Sequence, residues 1–214
     1  MRLAGIQTRI APHGLVVHGA YDAGSSFRVL IGNAGSGFWP VFRRSPEYAD
    51  GKANPLDRWS KRIGDDVAAH SGAVVIYPFQ GPPYPPILEW ASKAEQLSAS
   101  PVSMFIHQQY GLWHAYRFVL ELEEAPREYA APPIVASPCQ SCEEQPCLNA
   151  CPVNAFKPGI YAVDKCMDYL LEDDQSACRG LGCAARRACP VGVRYQYRAD
   201  HARFHMNAFV ARTL

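Results

Sequence analysis

The chain has 214 residues, 48% of them hydrophobic and 19% charged, with a formal net charge of +1. Those proportions belong to a folded protein with a substantial core, and exclude a disordered chain. The even charge argues against general nucleic-acid binding. No apolar run approaches the roughly 18 residues of a membrane span. Residues 1–20 carry Arg9, Pro12 and His13 where a secretory signal would be apolar, so the expected address is the cytoplasm.

In chain order, residues 14–21 and 27–32 read as two strands joined by the turn-rich segment Asp22–Ser26, a hairpin. Gly32-Asn33-Ala34-Gly35-Ser36-Gly37 follows, a loop that could present backbone N–H groups to a phosphate. A helix is expected from Pro55, with Asn54 as its cap, Leu56, Trp59, Ile63 and Val67 on one face, and Gly72 as its stop. The apolar run 73–77 predicts a central strand. The proline-rich segment 78–86 excludes helix and ladder interior, and a second helix is expected from Pro86 to about Leu97. Residues 103–107, a turn at 108–111 and a long strand over 112–122 complete a β-β-α-β-α-β-β order. That order predicts an α/β or α+β sandwich over residues 1–123.

Composition changes near Glu124. Pro126, Pro132, Pro133 and Pro138 mark a linker over 124–138, and a second domain is expected over 139–214. It has few large aliphatic residues and all 8 cysteines of the chain, between Cys139 and Cys189. A module so poor in core must fold around something else. Residues 124–174 hold 3 basic and 9 acidic side chains, whereas 175–214 hold 7 basic and 1 acidic. The two halves either neutralise each other or offer a docking surface to a charged redox partner protein. The tail 193–214 sets Tyr197, His201, Phe204 and Ala208 on one face of a terminal helix, expected to pack on another domain.

The cysteines fall into two runs and a singleton. The first run is Cys139-x2-Cys142-x4-Cys147-x3-Cys151-Pro152; Cys166 stands alone; the last run is Cys178-x4-Cys183-x5-Cys189-Pro190. Clustered thiols mean metal or disulfides, and a cytoplasmic address disfavours disulfides. Two Cys-Pro endings favour iron–sulfur over zinc, because the cysteine before proline in two-cluster ferredoxins serves the other cluster. Crossing the ligands in that way assigns Cys139, Cys142, Cys147 and Cys189 to one 4Fe–4S cluster. It assigns Cys151, Cys166, Cys178 and Cys183 to a second, with no thiol left over.

Three segments carry a resemblance: CLNACPVNAF at 147–156, VDKCMDYLLED at 163–173 and GLGCAARRACPVG at 180–192. In that order they resemble the iron–sulfur domain of epoxyqueuosine reductases and, more loosely, of reductive dehalogenases. Residues 104–122 and 76–88 are similar to the cobalamin-processing CblC family. These resemblances imply a flavin-reductase-like sandwich followed by a small ferredoxin-like two-cluster domain, and a corrinoid or flavin site in the first part. Tyr77 stands where the family has a pocket histidine. No acidic proton donor matches that of the epoxyqueuosine reductases. A cofactor pocket would be lined by residues near Asn33, Tyr77 and His107. His114 and the aromatic residues Trp39, Phe42, Phe79, Tyr84 and Tyr110 are further candidates, either for such a pocket or for plain packing.

The expected function is therefore electron transfer by two 4Fe–4S clusters, with a redox partner protein and with neither nucleic acid nor membrane. The alternative is a corrinoid- or flavin-dependent reductase in which the clusters feed a cofactor in the first domain.

Overall fold

A computed structural model describes residues 3–213, apart from 96, 127, 128, 132, 134 and 158. Pro132, one of the linker prolines, thus lies outside the described residues. The elements run α1 (Leu3–Ile10), β1 (Val16–Asp22), β2 (Phe27–Ala34), α2 (Trp39–Phe42), α3 (Pro46–Ala49), α4 (Pro55–Ser71), β3 (Val74–Ile76), α5 (Ile87–Glu95), β4 (Ser98–Ala99), β5 (Phe105–Ile106) and β6 (His114–Leu122). Then follow α6 (Pro146–Asn149), β7 (Phe156–Lys157), β8 (Ile160–Tyr161), α7 (Val163–Glu172), α8 (Ala177–Leu181), α9 (Ala184–Arg187) and α10 (Ala199–Thr213). This is a mixed α+β chain. None of its described helices is long and apolar enough to cross a membrane.

The chain forms two compact units, and they do not follow a single cut. The first comprises Met1–Gln96 and His114–Val135, the second Leu97–Trp113 and Ala136–Leu214. The sequence places 97–113 in the first domain. In the structure Val102, Ile106 and Leu112 are buried in one cluster with Cys147, Cys151 and Cys189. That apolar wall draws the segment into the cysteine-rich unit.

In the first unit a four-stranded antiparallel sheet has the order β1-β2-β6-β3. The expected central strand at 73–77 is in fact the short edge strand β3, with Val74 64% exposed. The interior place goes to β6, whose consecutive residues Phe118, Val119 and Leu120 are all buried. Such burial on both faces marks a strand with neighbours on each side. Helix α4 buries Leu56, Trp59, Ile63 and Val67 as its spacing predicts. Gly72 ends it with φ 66°, its N–H donating to the Ala68 carbonyl. Asn54 caps by its backbone alone, in a left-handed conformation with no side-chain bond. Trp39, Phe42, Phe38 and Trp59 meet ring to ring in this core.

In the second unit α6, α8 and α9 are about one turn each, while α7 has 10 residues and α10 has 15; α10 packs on α8 and α7. The terminal helix therefore rests on its own unit, where Val210 is buried beside Met167, Leu170 and Cys178. The turn before β6 approaches the segment after Cys189 so closely that side chains are excluded. A Cβ on Gly111, at φ +56°, would lie 2.0 Å from the Val191 carbonyl oxygen; one on Gly192 would lie 2.4 Å from the Tyr110 carbonyl carbon. Only glycine satisfies both conditions at once.

Candidate metal centres

Each cysteine is positioned by a turn or a short helix. Cys139 lies in a turn where its N–H donates to Ser137 Oγ at 3.3 Å. Cys147 rides on α6, and Cys151 follows it and accepts at Sγ from the Ala155 N–H at 3.3 Å. Cys166 sits on α7 and Cys178 on α8, whose Ser176 cap accepts from the Arg179 N–H. Cys183 precedes α9, and Cys189 follows it. All eight are free thiols.

These side chains line two cavities. One is bordered by Cys139, Cys142, Cys147 and Cys189, with Val102, Ile106 and Leu112. The other is bordered by Cys151, Cys166, Cys178 and Cys183, with Phe156, Tyr169 and Met206. Cys151 and Cys189, the two cysteines before proline, each stand with the run that is distant in sequence. Among the described residues no three His, Cys, Asp or Glu side chains converge closely enough to share a single ion. The four sulfurs of each set surround a volume instead.

Burial pushes the thiols of Cys139, Cys147, Cys166, Cys183 and Cys189 up from their ordinary range. Neighbouring cysteines add to this within a set. Cys189 acts on Cys147, Cys139 and Cys142 act on Cys189, and Cys151 and Cys178 act on Cys166. Backbone N–H groups oppose the shift: Ala185 and Arg186 at Cys183, Val191 at Cys189 and Leu148 at Cys147. The second cavity adds the Tyr161 hydroxyl, which bonds to Cys166 and whose own ionisation is raised, chiefly by burial. Its ring stacks on Phe156 at 4.7 Å across the β7–β8 pair. Soft sulfur donors in apolar walls, met by polar N–H and O–H groups, suit thiolate-preferring metals.

Arg186, between Cys183 and Cys189, is no solvated charge. Its Nε donates to the Leu112 carbonyl at 2.8 Å, and its guanidinium lies 4.4 Å from both the Trp113 and the Tyr197 ring centroids. Arg187 donates to the Gly182 carbonyl at 3.2 Å. Both arginines brace the segment that carries the ligand candidates.

Of the three proposed pocket residues, Asn33 and Tyr77 belong to the first unit and His107 to the second. Asn33 is fully buried; its amide donates to the Gly35 carbonyl at 3.0 Å, and its Oδ1 accepts from Arg117 at 2.9 and 3.0 Å. Tyr77 is buried, with its hydroxyl 2.8 Å from both Asp65 and the Lys61 carbonyl. Burial and that carboxylate raise its ionisation. His107 belongs to the second unit, where Nδ1 accepts from the N–H groups of Gln109 and Tyr110 at 2.9 and 3.1 Å. Of the aromatic candidates, Trp39 and Phe42 are core, and Tyr84 is 66% exposed.

A buried ionisable group in the first unit escaped the sequence reading. His18 Nδ1 lies 3.2 Å from Glu95 Oε2, with both side chains at 1% exposure or less. Tyr116 donates to Glu95 Oε1 at 2.6 Å, and His18 Nε2 lies 3.3 Å from the Asn33 carbonyl. Burial alone would raise the Glu95 carboxyl, but the bonds from His18 and Tyr116 hold it below the usual value. Glu95 falls one turn after buried Ala91 on α5, a helical spacing legible in the sequence; His18 sits where the β1–β2 register shifts, which strand alternation does not announce.

No family model matches the sequence, and no curated protein matches it. In fold, the chain is like the B12-trafficking protein CblC of C. elegans, a homologue of human MMACHC. The TM-score is 0.56 at 11% identity, over 95% of this chain and 90% of that one. At that identity the likeness is one of fold. Structures of epoxyqueuosine reductase also align. One, bound to a modified tRNA stem loop, gives a TM-score of 0.48 and 14% identity over 92% of this chain and 68% of that one. The enzyme from Bacillus subtilis gives 0.45 and 17% over 83% of this chain, which spans about half (51%) of that protein.

Proposed function

We propose that the chain is an electron-transfer protein with two 4Fe–4S clusters, one held by Cys139, Cys142, Cys147 and Cys189 and the other by Cys151, Cys166, Cys178 and Cys183. The observation that carries this reading is the sorting of eight thiols into two apolar cavities, four to each, with the two Cys-Pro cysteines exchanged between runs. When bound, such clusters supply one-electron redox chemistry. The residues do the rest. The thiols bind, the prolines and apolar side chains at the walls restrict water, and the N–H groups at Cys183 and Cys189 with the Tyr161 hydroxyl at Cys166 compensate negative charge on sulfur. This work needs no general base or nucleophile. A redox partner protein in the cytoplasm completes the proposal.

Anaerobic, reconstituted protein is expected to hold about 8 iron atoms per chain; four or fewer count against the reading. Cys189→Ser and Cys151→Ser should abolish different paramagnetic signals of the reduced protein. If Cys189→Ser removes the signal that Cys178→Ser removes, the assignment of ligands is wrong.

The shared fold with a B12-trafficking protein favours a second reading, in which the clusters feed a corrinoid or flavin held by the first unit. Titration with cobalamin and with flavin mononucleotide separates the two readings. A dissociation constant of about 1 μM or below, about −8 kcal/mol, favours the cofactor-dependent reductase.

A further inference from the structure

Helix α10 carries a pair of histidines that neither cavity uses. His201 and His205 are one helical turn apart, so their side chains share a face. His201 is fully buried, and His205 is half-buried. Their Nε2 atoms lie 3.0 Å apart, with ring centroids at 4.8 Å. The Tyr197 ring stacks on His201 at 3.9 Å and an interplanar angle of 25°, and Tyr197 in turn lies against the Arg186 guanidinium. The Phe204 ring meets His205 edge-on at 5.5 Å. The imidazoles are thus braced by ring contacts, with their Nε2 atoms adjacent.

We propose that His201 and His205 form a chelating site for one divalent first-row transition-metal ion, distinct from the two thiol-lined cavities. Without metal, one facing nitrogen donates and the other accepts; for a cation to take both lone pairs, the donor ring moves its proton from Nε2 to Nδ1, so that both rings stay neutral. The spacing selects a coordination geometry. Metal–imidazole bonds of about 2.0–2.1 Å set two nitrogens about 2.9 Å apart at a right angle and about 3.3–3.4 Å apart at the tetrahedral angle. The observed 3.0 Å matches the right angle, the cis arrangement of square-planar or octahedral ions such as Ni²⁺. Two neutral imidazoles leave the remaining positions to water or to a small ligand. The sequence form is His-x3-His on a helix, the spacing by which paired histidines reach one metal.

The test uses the full chain, reconstituted with iron and titrated anaerobically with Ni²⁺. The expected result is one nickel per chain, with nickel-edge X-ray absorption showing two imidazole nitrogens and no sulfur neighbour. His205→Ala, at the half-buried position, should weaken binding by about tenfold or more, with unchanged iron content and thermal midpoint. His201→Gln provides a second variant that keeps a polar group at the buried position. Nickel held by sulfur would place it at the cysteines and overturn the proposal. So would no nickel retained at about 100 μM free metal, or a folded His205→Ala chain that binds as the parent does. Because the absorption edge separates nitrogen from sulfur neighbours, the outcome does not depend on whether the cavities hold iron.

Discussion

The two units solve the problem of stability by different means. The first has an interior sheet strand buried on both faces and a ring cluster of Phe38, Trp39, Phe42 and Trp59. Its buried carboxylates have partners, Glu95 facing His18 and Glu47 paired with Arg62. The second has two thiol-lined cavities and little aliphatic core between them. One unit is held by water's exclusion from apolar surface. The other, on the proposed reading, is held by metal–sulfur bonds that an unfolded chain cannot make. Sequence composition alone separates these regimes, because the second unit has too little apolar surface to offset chain entropy unaided.

Chelation sharpens this contrast most. Stripping iron anaerobically should unfold the second unit, since structural metal sites contribute on the order of 10 kcal/mol. The first should keep its fold. Limited proteolysis is expected to cut within 136–214 while the sheet strands survive; equal loss of both units would break the comparison.

Next in size is an attack on the apolar side. Trp59→Ala empties a fully buried site on α4 and should cost about 3–5 kcal/mol in denaturant unfolding. Iron content per folded chain should be unchanged.

The buried carboxylate gives a smaller loss with a pH signature. Glu95→Gln removes the carboxylate that accepts from Tyr116 and faces His18 and should cost about 1–3 kcal/mol. The Glu95 carboxyl is lowered in the folded state. Its contribution is therefore complete above the unfolded value of about 4.3 and is lost as pH falls through the lower folded value. Urea midpoints measured at descending pH should show a steeper acid decline for the parent than for Glu95→Gln. Identical slopes would remove Glu95 from the account.

The smallest expected effect is local. Gly111→Ala forces a Cβ towards the Val191 carbonyl at a positive φ, a strain of about 1–3 kcal/mol. Displacement of the neighbouring segment should loosen the site at Cys189 and speed iron loss during dialysis, with the first unit's unfolding midpoint unmoved.

Much of this was legible in residue order. The hairpin of β1 and β2, the α4 face, its start at Pro55 and its end at Gly72 all follow from local spacing and backbone preference, which need no distant partner. The grouping of the cysteines could be anticipated because ligand chemistry restricts spacing. The rank of β3 and β6 within the sheet could not, since both are apolar runs and only tertiary pairing decides which lies inside. Nor could the allegiance of residues 97–113. Val102, Ile106 and Leu112 look like part of a sandwich until Cys147 and Cys189 stand beside them. Asn33, Tyr77 and His107 were chosen by resemblance to a pocket, and each is engaged by separate local partners.

The alternating path of the chain between its units has a consequence for biosynthesis. Leu112 leaves the ribosome 77 residues before Cys189. At about 5–20 residues per second that is a delay of about 4–15 s. Cys147, Cys151 and Phe156 follow within that interval, but Ala185 and Cys189, members of the same buried cluster, come last, while the strand that follows Leu112 can already join its sheet. Val102, Ile106 and Leu112 therefore stay incompletely covered until synthesis has passed Cys189, and on the proposed reading a nascent chain starved of iron keeps that apolar segment open.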